Sequence, residues 1–240
     1  HTECRRQRQM CIRDRATICD HRGRVLSMAG DADTATFIRS ALKPFQALAV
    51  TTTGIIERYD LTDIDLAVIC GSHQGTTEQA RQVFNVLWRC DIDSSKLQCP
   101  TPANKNSPLQ HNCSGKHAGM LGICQQRNWS MESYLEMKHP VQQLILSKVA
   151  ELLAMPAPEF IGARDDCGAP TYLLQLSQMA TLYAKLASGN SLDLERIVRA
   201  MTYHPEMVAG KGHFDTELIR LTSGELVSKS GAEGVQCIGR

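Results

Sequence analysis

The chain has 240 residues, of which 42% are hydrophobic and 5% aromatic, and its composition is that of a globular protein rather than a fibre or a disordered segment. Its 26 lysines and arginines nearly balance 25 aspartates and glutamates, so the net charge is only +1. This balance excludes the basic patch that nucleic acid or an anionic membrane requires. No run is apolar enough for a membrane span or a signal peptide, so we expect a cytoplasmic protein that binds neither.

Both ends of the chain are unusual. It begins with His1, and residues 4–15 (CRRQRQMCIRDR) are basic and show no helical or strand period. We therefore interpret residues 1–15 as a non-native arm, of the kind that adapter sequence leaves on a metagenomic fragment. A native basic arm is the alternative. Because the chain stops at Arg240 directly after a strand-like run, residues 16–240 are expected to form one domain that is incomplete at its C-terminus.

The first half of the chain begins with a β-hairpin and continues mainly with helices. Apolar runs at Ala16–Asp20 and Val25–Met28 flank a turn around Gly23, which predicts the hairpin. A helix is predicted from Ser40 to about Thr53. The short apolar run Asp65–Cys70 favours a buried strand, and Thr76 caps a helix that ends near Cys90.

The second half contains more helix and a final pair of strands. A loop rich in proline, asparagine and serine spans residues 91–113, and a loop of that length is usually functional. Residues 162–170 form a second irregular polar segment. Helices are predicted at Ser114–Asn128, Pro140–Met155, Thr171–Ala187, Leu192–Tyr203 and Thr216–Thr222. Strands are predicted at Glu225–Lys229 and Gly234–Ile238. Pairing of the strands from both chain ends gives an α/β (α+β) fold, with a mixed sheet flanked by helices.

The most informative motif is Ser40-x-x-Lys43, followed at once by Pro44. Residues three apart share a helix face, so the lysine amine is expected to reach the serine hydroxyl. Proline is tolerated in the first turn of a helix, which places Ser40 at or near the N-cap. There the helix dipole favours a developing oxyanion. The alternative is an ordinary capping serine followed by a surface lysine, because the pattern is short.

Two further residues are candidates for a catalytic site built from serine and lysine. Ser72 lies in a glycine-bounded turn, where a hydroxyl can be presented to a cleft, although a solvated turn serine is the simpler explanation. Lys229-Ser230-Gly231 follows a strand and matches the third motif of penicillin-recognising serine enzymes. A charged residue on an edge strand is the alternative there.

A metal site is suggested by the cysteines. The ten cysteines include no Cys-x-x-Cys pair, which indicates reduced thiols rather than a disulfide framework. Cys113 and Cys167 both lie on irregular polar segments and are candidates for a thiolate pair that binds zinc. From the residues alone, His111 or His117 would complete such a site. Two distant cysteines are a weak signal, and buried free thiols are the alternative.

Together these elements resemble the asparaginase II family, the amidohydrolases also called class 3 asparaginases. The resemblance covers nearly all of residues 16–240 and rests on the order and spacing of many motifs. They are RSALKPFQ (39–46), CGSH (70–73), NCSGKHAGM (112–120), DDCGAPT (165–171), YAKLA (183–187), HPEMVAG (204–210) and KSGAEG (229–234). Within the third motif, Cys113-Ser114-Gly115-Lys116-His117 is the most diagnostic run.

The resemblance implies a set of site residues and a fold similar to serine β-lactamases and glutaminases. Its catalytic residues fall on two pairs, Ser40 with Lys43 and Ser72 with Lys229. Its zinc ligands fall on Cys113, Lys116 and Cys167, so a lysine replaces the histidine suggested above. Its positions that orient substrate or ligands fall on Arg39, His117 and Asp165. It also implies a homodimer at full length. Family members continue past the position of Arg240.

The sequence therefore predicts an amidohydrolase domain that hydrolyses the side-chain amide of L-asparagine to L-aspartate and ammonia through a Ser–Lys acyl-enzyme. Which serine is acylated is left open. A serine-type glutaminase or penicillin-recognising hydrolase would use the same Ser-x-x-Lys and Lys-Ser-Gly motifs, but would leave Cys113, Lys116 and Cys167 without a role. An inactive truncated binding module is the third possibility.

Overall fold

The computed structural model describes residues 14–240. Residues 1–13 of the arm predicted at 1–15 therefore lie outside the described residues. About half of this range is helical, and the remainder includes seven short strands. The predicted mixed α/β class is confirmed. None of the helices in residues 14–240 combines the length and the apolar character that crossing a bilayer requires.

The helices form the bulk of the molecule. They are α1 (Lys43–Thr52), α2 (Ile55–Arg58), α3 (Asp63–Cys70), α4 (Thr77–Arg89), α5 (Ser114–Arg127), α6 (Pro140–Leu153), α7 (Leu176–Ala187), α8 (Leu192–Tyr203), α9 (Pro205–Val208) and α10 (Phe214–Leu221). At the centre lie α1 and α5, each buried along most of its length. They pack against each other and against α3, and the side chains that they bury include lysine, histidine and glutamine as well as apolar and small residues.

The strands form three small antiparallel sheets. They are β1 (Ala16–Cys19), β2 (Val25–Ala29), β3 (Ala35–Phe37), β4 (Gly162–Arg164), β5 (Pro170–Gln175), β6 (Val227–Ser230) and β7 (Gln236–Gly239). The first two pair as the predicted hairpin, and the last two pair with Lys229 opposite Cys237. Between these hairpins in sequence, the middle sheet has the order β3-β5-β4.

The expected pairing of the strands from both chain ends is wrong. In residues 14–240, β1 pairs with β2 and β6 pairs with β7, and no ladder joins the two hairpins. Both hairpins instead pack against α7, which contacts β1 and β7. The helix therefore links the two hairpins, which share no backbone hydrogen bonds in the described residues.

Two predicted elements have the wrong type. The run Asp65–Cys70 is part of helix α3, which begins with a capping box between Thr62 and Asp65. A short apolar run cannot by itself distinguish a strand from a buried helix. The helix predicted from Thr171 begins only at Leu176, because residues 170–175 form the central strand β5 and pair with β3 and β4 on its two sides.

The close approach of α5 to α3 depends on Gly115. A Cβ atom there would lie 2.0 Å from the Val68 carbonyl oxygen, which is backbone and cannot move aside cheaply. We expect Gly115→Ala to lower the free energy of unfolding by about 1–3 kcal/mol or more. Urea denaturation measures this. Gly122→Ala on the same helix is the matched control, since its Cβ would meet only the side chains of Cys90 and Ile55. Equal losses in the two variants would contradict this account.

Candidate active site

Ser40 and Lys43 lie where a 3-10 turn (Arg39–Leu42) leads into α1. Lys43 N–H donates to the Ser40 carbonyl, and side chains three apart in such a turn are eclipsed, so the two residues share a face. The N-cap positions are occupied by Ile38 for the turn and Leu42 for α1. The expectation that Ser40 caps the helix is therefore wrong, because Pro44 is the second residue of an α-helix that starts only at Lys43.

Two polar groups of Ser40, its backbone N–H and its hydroxyl, make no hydrogen bond to the described part of the protein. The first N–H groups of a helical turn have no intrahelical acceptor, which explains the free N–H. Ser40 is only half-buried. Both groups are thus available to a molecule bound at this turn.

Lys43 is fully buried, and its amine bonds to a different serine from the one expected. Its Nζ donates to the carbonyl oxygens of Gly71 at 2.6 Å and Asn112 at 3.0 Å, and to Ser72 Oγ at 2.9 Å. In the described part of the chain, no hydrogen bond joins the Lys43 amine to the Ser40 hydroxyl. Burial lowers the pKa of Lys43, although the nearby Cys113 thiolate opposes this shift.

Ser72 follows the C-terminus of helix α3, not a strand as predicted. A Cβ atom on Gly71 would lie 2.2 Å from the Met207 carbonyl oxygen, so only glycine permits the chain to pass here. The Ser72 N–H donates to the Val208 carbonyl at 2.6 Å. The backbone donor of Ser72 is therefore occupied, while its hydroxyl faces Lys43.

Lys229 lies on β6 and is also fully buried. Its Nζ donates to the Ser230 carbonyl at 2.8 Å and lies 3.7 Å from Asp215 Oδ2. Burial lowers the pKa of Lys229 to about 8, and the charge of Lys43 adds to this shift. No hydrogen bond joins Lys229 to Ser72 within residues 14–240.

The strand that carries Lys229 runs beside the turn that carries Ser40. A Cβ atom on Gly231 would lie 2.7 Å from the Ile38 carbonyl oxygen, which accounts for glycine in the Lys-Ser-Gly motif. The fold thus brings to one region the four residues of the two predicted pairs, which are Ser40, Lys43, Ser72 and Lys229. In the described residues, the side-chain hydrogen bond among these four joins Lys43 to Ser72, which is neither of the predicted pairs.

The three predicted metal ligands also lie together. Cys113 immediately precedes α5, Lys116 is in its first turn, and Cys167 lies in the turn between β4 and β5. Cys167 and the nearby lysine cations hold the pKa of Cys113 well below its ordinary value, against the effect of burial. Burial alone would lower the pKa of Lys116, but the charges of Cys113, Cys167 and Asp165 raise it.

The donor set of this cluster suits zinc only if Lys116 takes part. Residues 14–240 contain no group of three histidine, cysteine, aspartate or glutamate side chains placed to hold a metal ion. His111 and His117 therefore do not complete the site, and the first of them accepts the Cys113 N–H at Nδ1 instead. Two thiolates and a nitrogen are donors that zinc prefers. Cys113 and Cys167 together with Lys116 as the nitrogen ligand therefore form a donor set that fits zinc.

Arg39 connects the site to three carboxylates. Its guanidinium pairs with Asp165 at 2.6 Å, Asp166 at 2.8 Å and Glu233 at 3.0 Å. Asp165 is nearly buried, whereas the other two carboxylates are exposed. Arg39 also has a φ of 51°, a strained conformation for a residue other than glycine. A substrate carboxylate would have to displace the exposed partners, because Asp165 is held in place.

His117 is fully buried and partly without a partner. Its Nδ1 lies 2.7 Å from the Tyr134 hydroxyl, which also accepts the Gln98 N–H. Because the Tyr134 oxygen already accepts the Gln98 N–H, we assign the Tyr134 hydrogen to the bond with Nδ1, which places the proton of the neutral ring on Nε2. That Nε2 has no hydrogen-bond partner in residues 14–240. Burial lowers the pKa of His117 to about 3, with a contribution from the Lys116 charge. The ring thus presents an unused N–H donor.

Two buried polar residues near the site were not singled out from the sequence. Asp215 lies in the first turn of α10 and contacts Lys229. Tyr183 donates its hydroxyl hydrogen to the Ala41 carbonyl at 2.8 Å, next to Ser40. The YAKLA motif was a signal for Tyr183. Asp215 gave none, because an acidic residue in the first turn of a helix is ordinarily explained by the helix dipole.

Comparison with known proteins gives a family. The family model described as L-asparaginase II matches residues 11–240, which include every residue of the site. No curated protein matches the chain. Because the match covers nearly the whole sequence, this chain belongs to the asparaginase II family and is an asparaginase-type amidohydrolase.

Proposed function

We propose that the chain hydrolyses the side-chain amide of L-asparagine to L-aspartate and ammonia through an acyl-enzyme. The observation that carries the proposal is the 2.9 Å contact of the buried Lys43 amine with Ser72 Oγ, at the start of the helix that follows Ser40. A serine hydroxyl within reach of a buried lysine either becomes a nucleophile itself or carries a proton to the lysine from a second serine. The homodimer and the cytoplasmic location expected above remain predictions.

Ser40 is our candidate for the acylated residue. In serine hydrolases the backbone N–H of the nucleophile commonly helps to bind the oxyanion. The Ser72 N–H is occupied by the Val208 carbonyl, whereas the Ser40 N–H has no partner in the described residues. This difference favours Ser40 as the nucleophile and leaves Ser72 as a proton carrier.

The contacts of Lys43 support a path for the proton. The carbonyl oxygens of Gly71 and Asn112 can only accept, so a neutral Lys43 keeps both N–H bonds and turns its lone pair to Ser72. Ser72 then passes to Lys43 the proton that Ser40 loses as its oxygen attacks the amide carbon. The same groups return the proton to the departing nitrogen, which leaves as ammonia. Water then enters and gives a proton to Lys43 as its oxygen attacks the ester. That proton returns through Ser72 to the departing Ser40 oxygen, which releases L-aspartate and restores both Ser40 and the neutral Lys43.

Three other residues would hold the substrate. We assign the charged end of asparagine to Arg39, whose exposed carboxylate partners a substrate carboxylate can replace. Asp165 fixes the orientation of that guanidinium at 2.6 Å. His117 contributes the unpartnered Nε2–H, which is suited to an acceptor oxygen. These assignments rest on the contacts above and on membership of the family.

We further propose that Cys113, Lys116 and Cys167 hold zinc. When bound, zinc supplies a Lewis acid that can polarise or orient a substrate oxygen. The nucleophile does not require it, since Lys43 and Ser72 already provide a base and a proton carrier. The burial of all three side chains and their mutual electrostatic influence support the assignment.

Ammonia release from L-asparagine and L-glutamine, measured on the purified chain, tests the reaction. We expect turnover of asparagine in preference to glutamine. Preference for glutamine would support the serine-type glutaminase, and hydrolysis of a chromogenic cephalosporin would support the penicillin-recognising class. A folded chain that acts on none of these substrates would support the binding module.

The zinc assignment predicts that Cys167→Ser lacks bound zinc on elemental analysis, because a hydroxyl does not readily ionise to replace a thiolate. If the metal orients the substrate, KM for asparagine rises more than kcat falls. Cys19→Ser is the matched control, since Cys19 is another free thiol that lies on the first hairpin. Full zinc content in Cys167→Ser, or metal-free wild type after purification at neutral pH, would contradict the assignment.

A further inference from the structure

Asp215 is a carboxylate enclosed by the protein. It is the second residue of α10, and only 1% of its surface is exposed. A buried charge is costly unless it is paired and hydrogen-bonded. The proposed reaction has so far given this residue no role, although it lies beside Lys229.

The partners of Asp215 come from β6 and β7. Its Oδ1 accepts from Ser228 Oγ at 2.7 Å and from Gln236 Nε2 at 2.9 Å. Its Oδ2 accepts from the backbone N–H of Ser230 at 2.8 Å and from the hydroxyl of the same residue at 2.7 Å. Ser228 and Ser230 are the two neighbours of Lys229 in the strand. The carboxylate therefore fixes the chain on both sides of the lysine.

The same carboxylate is the counter-charge of that lysine. Asp215 Oδ2 lies 3.7 Å from Lys229 Nζ, and both side chains are essentially without solvent contact. At this separation in a protein interior the attraction is far stronger than in water. A single side chain thus combines two functions, since it anchors β6 and keeps a positive charge at the end of Lys229.

We propose that Asp215 is a positioning residue of the amidohydrolase, which holds Lys229 as an ammonium beside Lys43 and the reacting serines. This inference rests on the proposed function. The ammonium provides the fixed positive charge that stabilises the oxyanion formed when the serine attacks the amide. Asp215 itself does not touch the substrate and acts through Lys229.

The surroundings of Lys229 leave Asp215 as its main source of negative charge. The titratable groups that act on it from neighbouring elements are Lys43 of α1, Asp215 of α10, Cys113 before α5, Cys70 of α3 and Cys237 of β7. Tyr183 of α7 lies close to Asp215. Arg39, on the adjacent turn, is paired with Asp165. Burial raises the pKa of Cys70 and of Cys237 to about 12, so both thiols are neutral. Cys113 is the other anion, and it adds less than Asp215.

The sign of the pH effect follows from these charges. Burial and Lys43 lower the pKa of Lys229 to about 8, while Asp215 raises it. Removing the carboxylate charge lowers that pKa further, so Lys229 loses its proton at a lower pH. If the ammonium form is the active one, the alkaline limb of the kcat profile must move to lower pH in Asp215→Asn.

The experiment compares Asp215→Asn, Asp215→Glu and Glu225→Gln with wild type in ammonia release from asparagine across pH 6–10. We expect Asp215→Asn to lower kcat on the order of 10- to 100-fold, which is the usual loss when a residue that orients a reacting group is removed. KM should change little, and the alkaline limb of the kcat profile should move to lower pH. Asp215→Glu keeps the charge and should recover the position of that limb, even where Asp215→Asn folds poorly. Glu225→Gln removes an exposed charge close to the same strand and should behave as wild type.

The titration of Lys229 can be measured without any turnover, so the role of Asp215 can be tested separately from the proposed reaction. Lysines labelled with ¹³C at Cε report their titration by NMR, and the Lys229 signal is identified by its loss in Lys229→Met. We expect Asp215→Asn to lower the titration midpoint of Lys229, whatever the chain hydrolyses. An unchanged midpoint, or an unchanged kcat profile in an active Asp215→Asn enzyme, would overturn the role of Asp215. Inactivity of wild type on asparagine with a shifted midpoint would overturn only the proposed reaction.

Discussion

Replacing Ser40 with alanine is expected to abolish ammonia release from L-asparagine, with a loss of about 10⁴-fold or more in kcat, as when other serine hydrolases lose their nucleophile. The fold should persist. Ser40 is half-buried, and its hydroxyl has no partner within residues 14–240, so its removal should change the free energy of unfolding by only about 0.5 kcal/mol. Steady-state kinetics and urea denaturation measure the two effects.

Ser72→Ala is the matched variant for this prediction. It removes the hydroxyl that contacts Lys43 and so should also lower kcat, but by less, because water can carry the proton in its place. Substantial turnover by Ser40→Ala together with an inactive Ser72→Ala would move the acylated position to Ser72. The free N–H of Ser40 would then have no catalytic meaning.

Lys43→Arg is expected to be nearly as inactive as Lys43→Ala. The proposed role requires a neutral nitrogen that accepts a proton, and a guanidinium remains protonated at any working pH. The arginine would keep a positive charge and several hydrogen-bond donors close to Gly71 and Asn112, so the comparison isolates basicity from charge. Ammonia release across pH 6–10 is the measurement.

The lysine is fully buried, so the fold of each variant must be checked by circular dichroism. Lys43→Met serves as the control that keeps the length of the side chain and removes the charge. Wild-type activity in Lys43→Arg would contradict a role as base and would leave Lys43 as an electrostatic anchor for the loops around Ser72.

The sequence was sufficient for most of the long helices, for the first hairpin and for the two strands near the C-terminus. Capping and termination signals are local, as at Thr76 before α4 and Pro140 at the start of α6, so they can be read along the chain. The errors at α3 and β5 have a tertiary cause. The run Asp65–Cys70 is apolar in either conformation, and β5 is a strand because β3 and β4 lie on both its sides.

The sequence motifs predicted which residues lie close together better than they predicted which side chains bond to each other. The residues of these motifs do lie close together. The Lys43 amine, however, bonds to the hydroxyl of Ser72, which is 29 residues away in sequence, rather than to that of the nearby Ser40. That choice is made by the packing of α3 and the loop before α5, which no local pattern encodes. Asp215 was missed for a similar reason, since its burial against β6 follows from the fold alone.

The central claim is that hydrolysis passes through an ester between the aspartyl group and Ser40. Peptide mass spectrometry of wild-type protein, quenched in acid during the first turnover with saturating L-asparagine, tests it most directly. The account predicts an added aspartyl group on the peptide that contains Ser40, which rises and then decays as free aspartate appears. An aspartyl group on Ser72 or another residue, or free aspartate formed in that first turnover while every peptide stays unmodified, would contradict it.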